Sequence, residues 1–463
     1  MSAVLRLTAA LHAELLMMAT GPVETGAVLL ASQYTIPAAD GRGERTVLLG
    51  VELLAVPEDA YEVRTDRALQ ITSEGYVHAL KEAGQRGLVA MWVHSHPGDG
   101  AVPRPSTHDR RVNAALEDLF ADRTDTGQYG YLIVSHEGAI LTFTGELAGK
   151  VAAPITQLST VGERWNFRAS YDVNAASDLG LFDRNIRAFG AGIQTTISTL
   201  TVAIVGAGGT GSATAEQLVR LGVRSFILID PDTLSASNTT RVYGSTPADI
   251  ARAKVDVLGD HLERIATGVH TTRVSGTILS EANARLLVGA DVVFGCTDDN
   301  AGRIRLSRLP YYTLVPVIDC GVQIPSDADG TITGIFARVT TLYPGTGCLV
   351  CRDRIDFALA EAEIRAASEQ QKLEREGYAP ALPGVEPAVV TFTTLVAATA
   401  TSELLERLVG YGDTPTPSEL ILFVHDRAVR GNIEPPHPGH YCDPASIQVG
   451  ADSDMFLGLN WAS

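Results

Sequence analysis

Cysteine is scarce in this chain: there are five in 463 residues, two of them close together as Cys348-Leu-Val-Cys351. That excludes a disulfide framework and suits a metal clip in a reducing cytosol. Basic charge is also short, with 36 Lys and Arg against 54 Asp and Glu and a net charge of −18. Nucleic-acid-binding domains carry a basic face, so no nucleic acid is expected as a partner. A basic, compact protein would suit the surface better, although acidic charge also serves solubility alone. Long apolar runs are missing too. No stretch approaches the roughly 18 uninterrupted apolar residues of a membrane span, so no membrane is expected. The opening MSAVLRLTAALHAELLMMATG is broken by His12 and Glu14 and has no small-residue cleavage signal, so it reads as an amphipathic helix and not a signal peptide. The expected location is cytoplasmic.

What is present describes a soluble globular protein, 45% hydrophobic and 19% charged, too long for one ordinary core. Two textures meet near the middle. Residues 1–150 alternate short strands and helices (TGAVLLASQ, TVLLGVELLAV, EGYVHALKEAG, LVAMWVHSH, YGYLIVSH), which predicts an α/β domain with a mixed sheet. Residues 151–180 have weak periodicity and many small polar side chains and read as a linker. Residues 181–463 form the second expected domain. Within it, TLTVAIVGAGGTGSATAEQLVRLGVRSFILID runs strand, glycine turn, helix, strand, the βαβ opening of a parallel, Rossmann-like sheet.

The first domain holds HSHPGDGAVPRPSTHD at 94–109. Residues i and i+2 of a strand share a face, so His94 and His96 can present both imidazoles to one point. With Asp109 they would make a three-ligand zinc site with a fourth position open for water, whose pKa the metal lowers towards about 7. A His-x-His alone is as well explained by hydrogen bonds in a strand-to-loop corner. The following Pro97 and the spaced Ser106 and Asp109 sharpen the pattern, which resembles the JAMM/MPN metalloprotease family. The resemblance extends to GPVETGAVLLA at 21–31 and implies that Glu24 is the base, that His94, His96 and Asp109 bind zinc, and that Ser106 donates to the tetrahedral oxyanion. The loop from Pro97 to His108 is slightly longer than the family's spacing, which a loop absorbs at small entropic cost. His108 is the alternative third ligand.

In the second domain Gly206, Gly208, Gly209 and Gly211 lie between a strand and a helix, where backbone can approach a phosphate, and Asp230 follows at the distance of a ribose-binding carboxylate. That much fits a dehydrogenase equally well. Asp232, Asn238, Arg241, Lys254 and the pair Asp298–Asp299 then add cations and carboxylates suited to a triphosphate and Mg²⁺. The set, from about residue 180 to 442, resembles the ThiF-like adenylyltransferases, the family of ubiquitin-activating enzymes. The resemblance implies that the glycines line ATP and that Asp230 binds ribose. Asn238, Arg241 and Lys254 would contact phosphates, with Asp298 on Mg²⁺. Arg184, in LFDRNIRAFGAGIQ, would reach phosphates across a homodimer interface. Cys348 and Cys351 look like half of the family's structural zinc site, completed by His440 and Cys442, with His437 as the alternative. No cysteine stands in EREGYAPALP, where thioester-forming members carry one, and Cys296 and Cys320 read as buried.

Together the resemblances imply a bifunctional enzyme of a prokaryotic ubiquitin-like modification system. One domain adenylates the C-terminal carboxylate of a ubiquitin-like or β-grasp carrier, and the other is a peptidase that processes or deconjugates it. A conjugating enzyme is a further candidate partner. Sulfur-carrier activation, with thiocarboxylate processing, is the alternative.

Overall fold

A computed structural model of the chain describes residues 2–37, 43–99, 102–124, 126–148, 152–170, 180–327, 329–365, 388–412, 414–445, 449–450 and 455–461. Its described residues fall into two compact units, one built on residues up to 170 with 449–450, the other on 180–445 with 455–461.

The first unit contains β1 (Ser2–Thr8), α1 (Ala9–Ala19), β2 (Gly26–Pro37), β3 (Glu44–Ala55), β4 (Tyr61–Arg64), β5 (Leu69–Ile71) and α2 (Glu74–Arg86). It continues through β6 (Val89–Asp99), α3 (Thr107–Thr124), β7 (Tyr129–Glu137), β8 (Ile140–Ala148), β9 (Ala153–Val161) and β10 (Trp165–Ala169). The large sheet runs β1-β3-β2-β6-β7-β8-β9-β10, and β1 also pairs with β9, so it curls back on itself. Parallel pairs (β1 with β3 and β9, β6 with β7) and antiparallel ones mix, as the sequence predicts. One face packs α1 through Leu11 and Leu15 onto Leu5, Leu29, Met91 and Leu132. The other face presents Val28, Leu30, Ala90 and Trp92 to α2 and α3, whose Leu80, Ala83, Leu116 and Phe120 are buried there.

Two expectations change here. The N-terminal helix starts only at Ala9, because Ala3–Leu7 are fully buried as a strand between β3 and β9. The linker expected over 151–180 carries β9 and β10, which belong to the first sheet. Its Ile155, Leu158, Val161, Trp165 and Phe167 are each at most 4% exposed, so small polar neighbours masked a strand pair.

The second unit contains α4 (Asp183–Thr199), β11 (Thr201–Val205), α5 (Gly209–Leu221), β12 (Ser225–Ile229), α6 (Lys254–Ile265), β13 (His270–Val274) and α7 (Glu281–Leu286). After these come β14 (Val292–Gly295), α8 (Asn300–Thr313), β15 (Val317–Gln323), β16 (Phe336–Leu342), α9 (Phe357–Ile364), α10 (Val390–Val409), β17 (Glu419–Phe423) and β18 (Ala428–Asn432). The sheet order is β13-β12-β11-β14-β15-β16-β17-β18, parallel as far as β15 and antiparallel beyond. β11 is completely buried, as a strand covered on both faces must be. Strand order reverses direction at β11, and a crevice opens at such a switch point outside the carboxyl ends of the strands.

Candidate functional site

In the first unit the site grows out of the core pattern. Even-numbered residues of β6 face α2 and α3, so beyond Ala90 and Trp92 the same face carries His94 and His96. Their Nε2 atoms lie 3.2 Å apart. Trp92 stacks beside His94, with ring centroids 6.3 Å apart, and packing orients an imidazole whose Nδ1 is buried without a hydrogen-bond partner among the described residues. β6 passes through Pro97. It runs to Asp99 with a break in its β7 ladder, where the Ser135 hydroxyl hydrogen-bonds to the His96 and Gly98 carbonyls.

Asp109 comes from the first turn of α3. The Ser106 N–H donates to Asp109 Oδ2 at 2.6 Å and the Asp109 N–H donates to Ser106 Oγ at 3.1 Å, a reciprocal helix cap. The cap, not the loop before it, fixes the carboxylate. Asp109 Oδ1 is 3.2 Å from His94 Nε2 and Oδ2 is 3.5 Å from His96 Nε2. Burial opposes ionisation, yet hydrogen bonds from His94, His96 and Ser106 hold the Asp109 carboxyl far below its ordinary value. His108 is exposed and outside the group. Nitrogen and oxygen ligands at about 2.0–2.1 Å from a tetrahedral zinc are separated by about 3.3–3.4 Å. The 3.2 Å between the imidazoles and from His94 Nε2 to Asp109 Oδ1 are close to that spacing, and one ligand atom from each residue lies within 4.8 Å of the others, so the residues fit zinc.

Glu24 stands just before β2, whose Gly26 is the register partner of His94. It is half-buried, and burial raises its carboxyl against the pull of His96 and His94. Ser106 is exposed at the helix start beside Asp109.

In the second unit a cleft of 1590 Å³ opens at the carboxyl ends of β11, β12 and β14. Gly206, Gly208, Gly209, Asp230, Asp232, Asn238, Arg241, Lys254 and Asp298 line it. Gly206 has φ +94°, and a Cβ there would meet the Cys296 carbonyl at 2.7 Å. Gly211 is not in the lining. A Cβ on it would sit 1.8 Å from the Gly206 oxygen, so its glycine serves the packing of α5 against the turn. α5 starts at Gly209 with no side-chain cap, leaving its N-terminal N–H groups at the cleft.

Asp230 accepts the Ala207 N–H at 2.6 Å and the Asp232 N–H at 2.8 Å, so it braces the glycine turn while facing the cleft. Burial raises its carboxyl and Lys254 pulls it back. Lys254 Nζ lies 2.7 Å from Asp232 Oδ2 and 3.9 Å from Asp230 Oδ1. Asn238 uses Oδ1 to accept the Ser235 N–H at 2.9 Å, and its NH₂ group has no partner among the described residues. Arg241 donates to the Ser237 carbonyl at 3.2 Å. Asp299 is the N-cap of α8, accepting from the Gly302 N–H and the Thr297 hydroxyl, whereas Asp298 is exposed to the cleft. Arg184 is exposed on α4 and absent from the lining of this chain's cleft.

Sequence reasoning missed the far wall. Arg303 and Arg338 both pair with Asp319 (3.0 and 2.7 Å), which is fully buried on β15. The available signal was a carboxylate inside the apolar run VPVIDC, which burial obliges to find a cation. Cys320 is buried as expected, but Cys296 is only partly so, and both line the cleft.

Cys348, Cys351, His440 and Cys442 converge as a second group. Cys351 Sγ is 3.6 Å from Cys348 Sγ, 3.5 Å from Cys442 Sγ and 3.1 Å from His440 Nδ1. Cysteine sulfurs on one tetrahedral zinc lie about 3.8 Å apart, and sulfur and nitrogen about 3.6 Å, so the set fits a closed structural site. His437 contributes its backbone N–H to Cys351 Sγ at 3.4 Å and turns its ring to Glu434. Dialysed protein is expected to carry close to two zinc ions per chain. Cys348→Ser should keep one and melt lower by more than about 5 °C. Metal analysis and a melting curve check this, and a variant that still holds two ions would contradict it.

A model of the ThiF family matches residues 182–440, more than half of the chain and all within the second unit. The chain is similar to the molybdopterin-synthase adenylyltransferase of Escherichia coli (strain K12), 32% identical over 170 residues that cover 37% of this chain and 65% of that protein. It is also similar to ubiquitin-like modifier-activating enzyme 5 of Oryza sativa subsp. japonica, 27% identical over 198 residues, 40% of this chain and 44% of that one. A third relative is the sulfur carrier protein ThiS adenylyltransferase of Escherichia coli (strain K12), 34% identical over 117 residues, 25% and 47% of the two chains. The chain thus spans less than two thirds of the length of each.

Proposed function

The chain belongs to the ThiF family, and we propose that its second unit uses ATP to adenylate the C-terminal carboxylate of a ubiquitin-like, β-grasp carrier protein. The observation that carries this is the convergence in one cleft of the glycine turn, Lys254, Arg241 and Asp298. The N–H groups at the start of α5 and the cations Lys254 and Arg241 bear on the phosphates, and Asn238 adds its amide. Asp298 would hold Mg²⁺, which when bound offsets phosphate charge. Asp230 takes the ribose with the lone pairs its backbone donors leave. A carrier carboxylate oxygen then attacks the α-phosphorus and pyrophosphate leaves, giving an acyl-adenylate. A homodimer in which Arg184 of one chain serves the cleft of the other is part of this reading, since Arg184 is exposed and free of its own cleft.

The first unit is, in the same reading, a JAMM/MPN-type zinc peptidase that trims or deconjugates such carriers. The spacing of His94, His96 and Asp109, with Glu24 beside them, supports it. Zinc held there supplies a water ionised near neutral pH. Glu24 accepts the proton and returns it to the leaving amine, and Ser106 stands by to hydrogen-bond the oxyanion.

Three of the five cysteines belong to the group that could hold the second metal, and the sequence EREGYAPALP, which lies outside the described residues, contains none, so in this reading activation ends at the adenylate. Any conjugating enzyme would take the carrier from there. No described helix is long and apolar enough to cross a membrane, and the reading places the system in a prokaryotic cytoplasm. Similarity to the two Escherichia coli adenylyltransferases supports the second reading, sulfur-carrier activation. The test is exchange of labelled pyrophosphate into ATP dependent on a carrier's free C-terminus. An isopeptide-linked product then marks conjugation and a carrier thiocarboxylate marks sulfur transfer.

A further inference from the structure

We propose that Arg64 is the positioning residue for Glu24, holding the segment before β2 so that the carboxylate stays at the His94–His96–Asp109 group. The proposal rests on the reading of Glu24 as the base.

Glu24 lies outside the sheet, and no ladder fixes it. Its placement comes from the end of β4. The Glu24 N–H donates to the Thr65 carbonyl at 2.8 Å, and the Glu24 carbonyl accepts from Arg64 Nε at 3.2 Å. The same guanidinium donates through Nη2 to Thr25 Oγ1 at 2.9 Å. Its third arm, Nη1, reaches both Glu58 oxygens, at 2.9 and 2.7 Å, and the group lies 4.4 Å from the centre of the Tyr61 ring. Tyr61 in turn accepts the Gly26 N–H at 3.1 Å.

β6 closes the clamp from the other side. Ser95, between the two histidines, accepts the Thr25 N–H on Oγ at 3.0 Å and donates its own N–H to the Thr25 carbonyl at 3.0 Å. Glu24, Thr25 and Gly26 are therefore held in sequence between β4 and the strand that carries the ligands. An Arg64–Glu58 ion pair alone would be a surface contact of small effect, since Glu58 is 83% exposed. The two donors turned inward, on a side chain only 26% exposed, distinguish Arg64. Lysine cannot replace it, because one ammonium cannot span the three directions of the fork. Displacing a catalytic group by about 1 Å costs on the order of 100-fold in rate.

The test uses the full chain with Co²⁺ in the first site. Its visible absorption follows ionisation at the metal, and a neighbouring carboxylate shifts that midpoint through its charge. Glu24→Gln is expected to move the midpoint by about one pH unit, and Arg64→Ala in the same sense by about half as much, with Co²⁺ content and melting temperature retained. Arg64→Lys should behave as Arg64→Ala. Thr25→Val, which removes the Nη2 acceptor together with the hydroxyl's own bond to the Val23 carbonyl at 3.3 Å, gives a smaller shift and serves if Arg64→Ala fails to fold. Wild-type midpoints in the Arg64 and Thr25 variants, with Glu24→Gln displaced, would overturn the clamp and leave the base in place. A wild-type midpoint in Glu24→Gln would overturn the base and the clamp together.

Discussion

Asp298→Ala lowers carrier-dependent ATP–pyrophosphate exchange by about 100-fold or more while leaving the fold intact. The size follows from removing the carboxylate that would hold Mg²⁺ against the phosphates, an electrostatic contribution of on the order of 10²–10³ in rate. The neighbouring carboxylate cannot substitute, because Asp299 is committed to capping α8 through the Gly302 N–H and the Thr297 hydroxyl. Asp298 caps nothing and is exposed to the cleft, so the melting temperature should not move. Asp299→Ala makes the contrast. It removes an N-cap worth about 1 kcal/mol and should show first in stability. Unchanged exchange in Asp298→Ala would refute the Mg²⁺ assignment.

If the first unit is the proposed zinc peptidase, Glu24→Gln is expected to abolish cleavage while zinc content is retained. Glu24 is not one of His94, His96 and Asp109, the group that could hold the metal, so the metal should stay. The clamp on Glu24 uses its backbone N–H and carbonyl, which an isosteric amide does not disturb. Only proton acceptance is lost, and general-base catalysis contributes about 10²–10⁴-fold. Zinc content and the rate of release of a carrier from an isopeptide-linked lysine check the prediction together. A variant as active as wild type would remove the base.

The local parts of both sites were legible in the sequence because they depend on short periods. His94 and His96 share a face by strand alternation, and the turn from Gly206 to Gly209 follows from a buried strand meeting a helix start. Asp109 was legible as a residue but not as a position. What delivers it is the Ser106–Asp109 cap, a three-residue feature that survives a longer loop before it. Non-local features stayed hidden. The pairing of β1 with β9 joins residues more than 150 positions apart, and residues 153–169 looked like a linker because their apolar positions are separated by Thr, Gln and Ser. Gly211 matched a motif but serves helix packing, and Arg184 matched one but stands outside its own cleft. The buried Asp319–Arg303–Arg338 wall was carried by one carboxylate in an apolar strand, a signal that asks for a partner without naming it.

Adenylation of a protein C-terminus can be read from pyrophosphate exchange with purified wild-type chain and a panel of β-grasp carriers, each with a free and an amidated C-terminus. At least one carrier with a free carboxylate is expected to stimulate exchange and its amidated form is not, because no carboxylate oxygen is then available to attack the α-phosphorus. Exchange that is indifferent to the carrier, or equal with free and amidated C-termini, would contradict it.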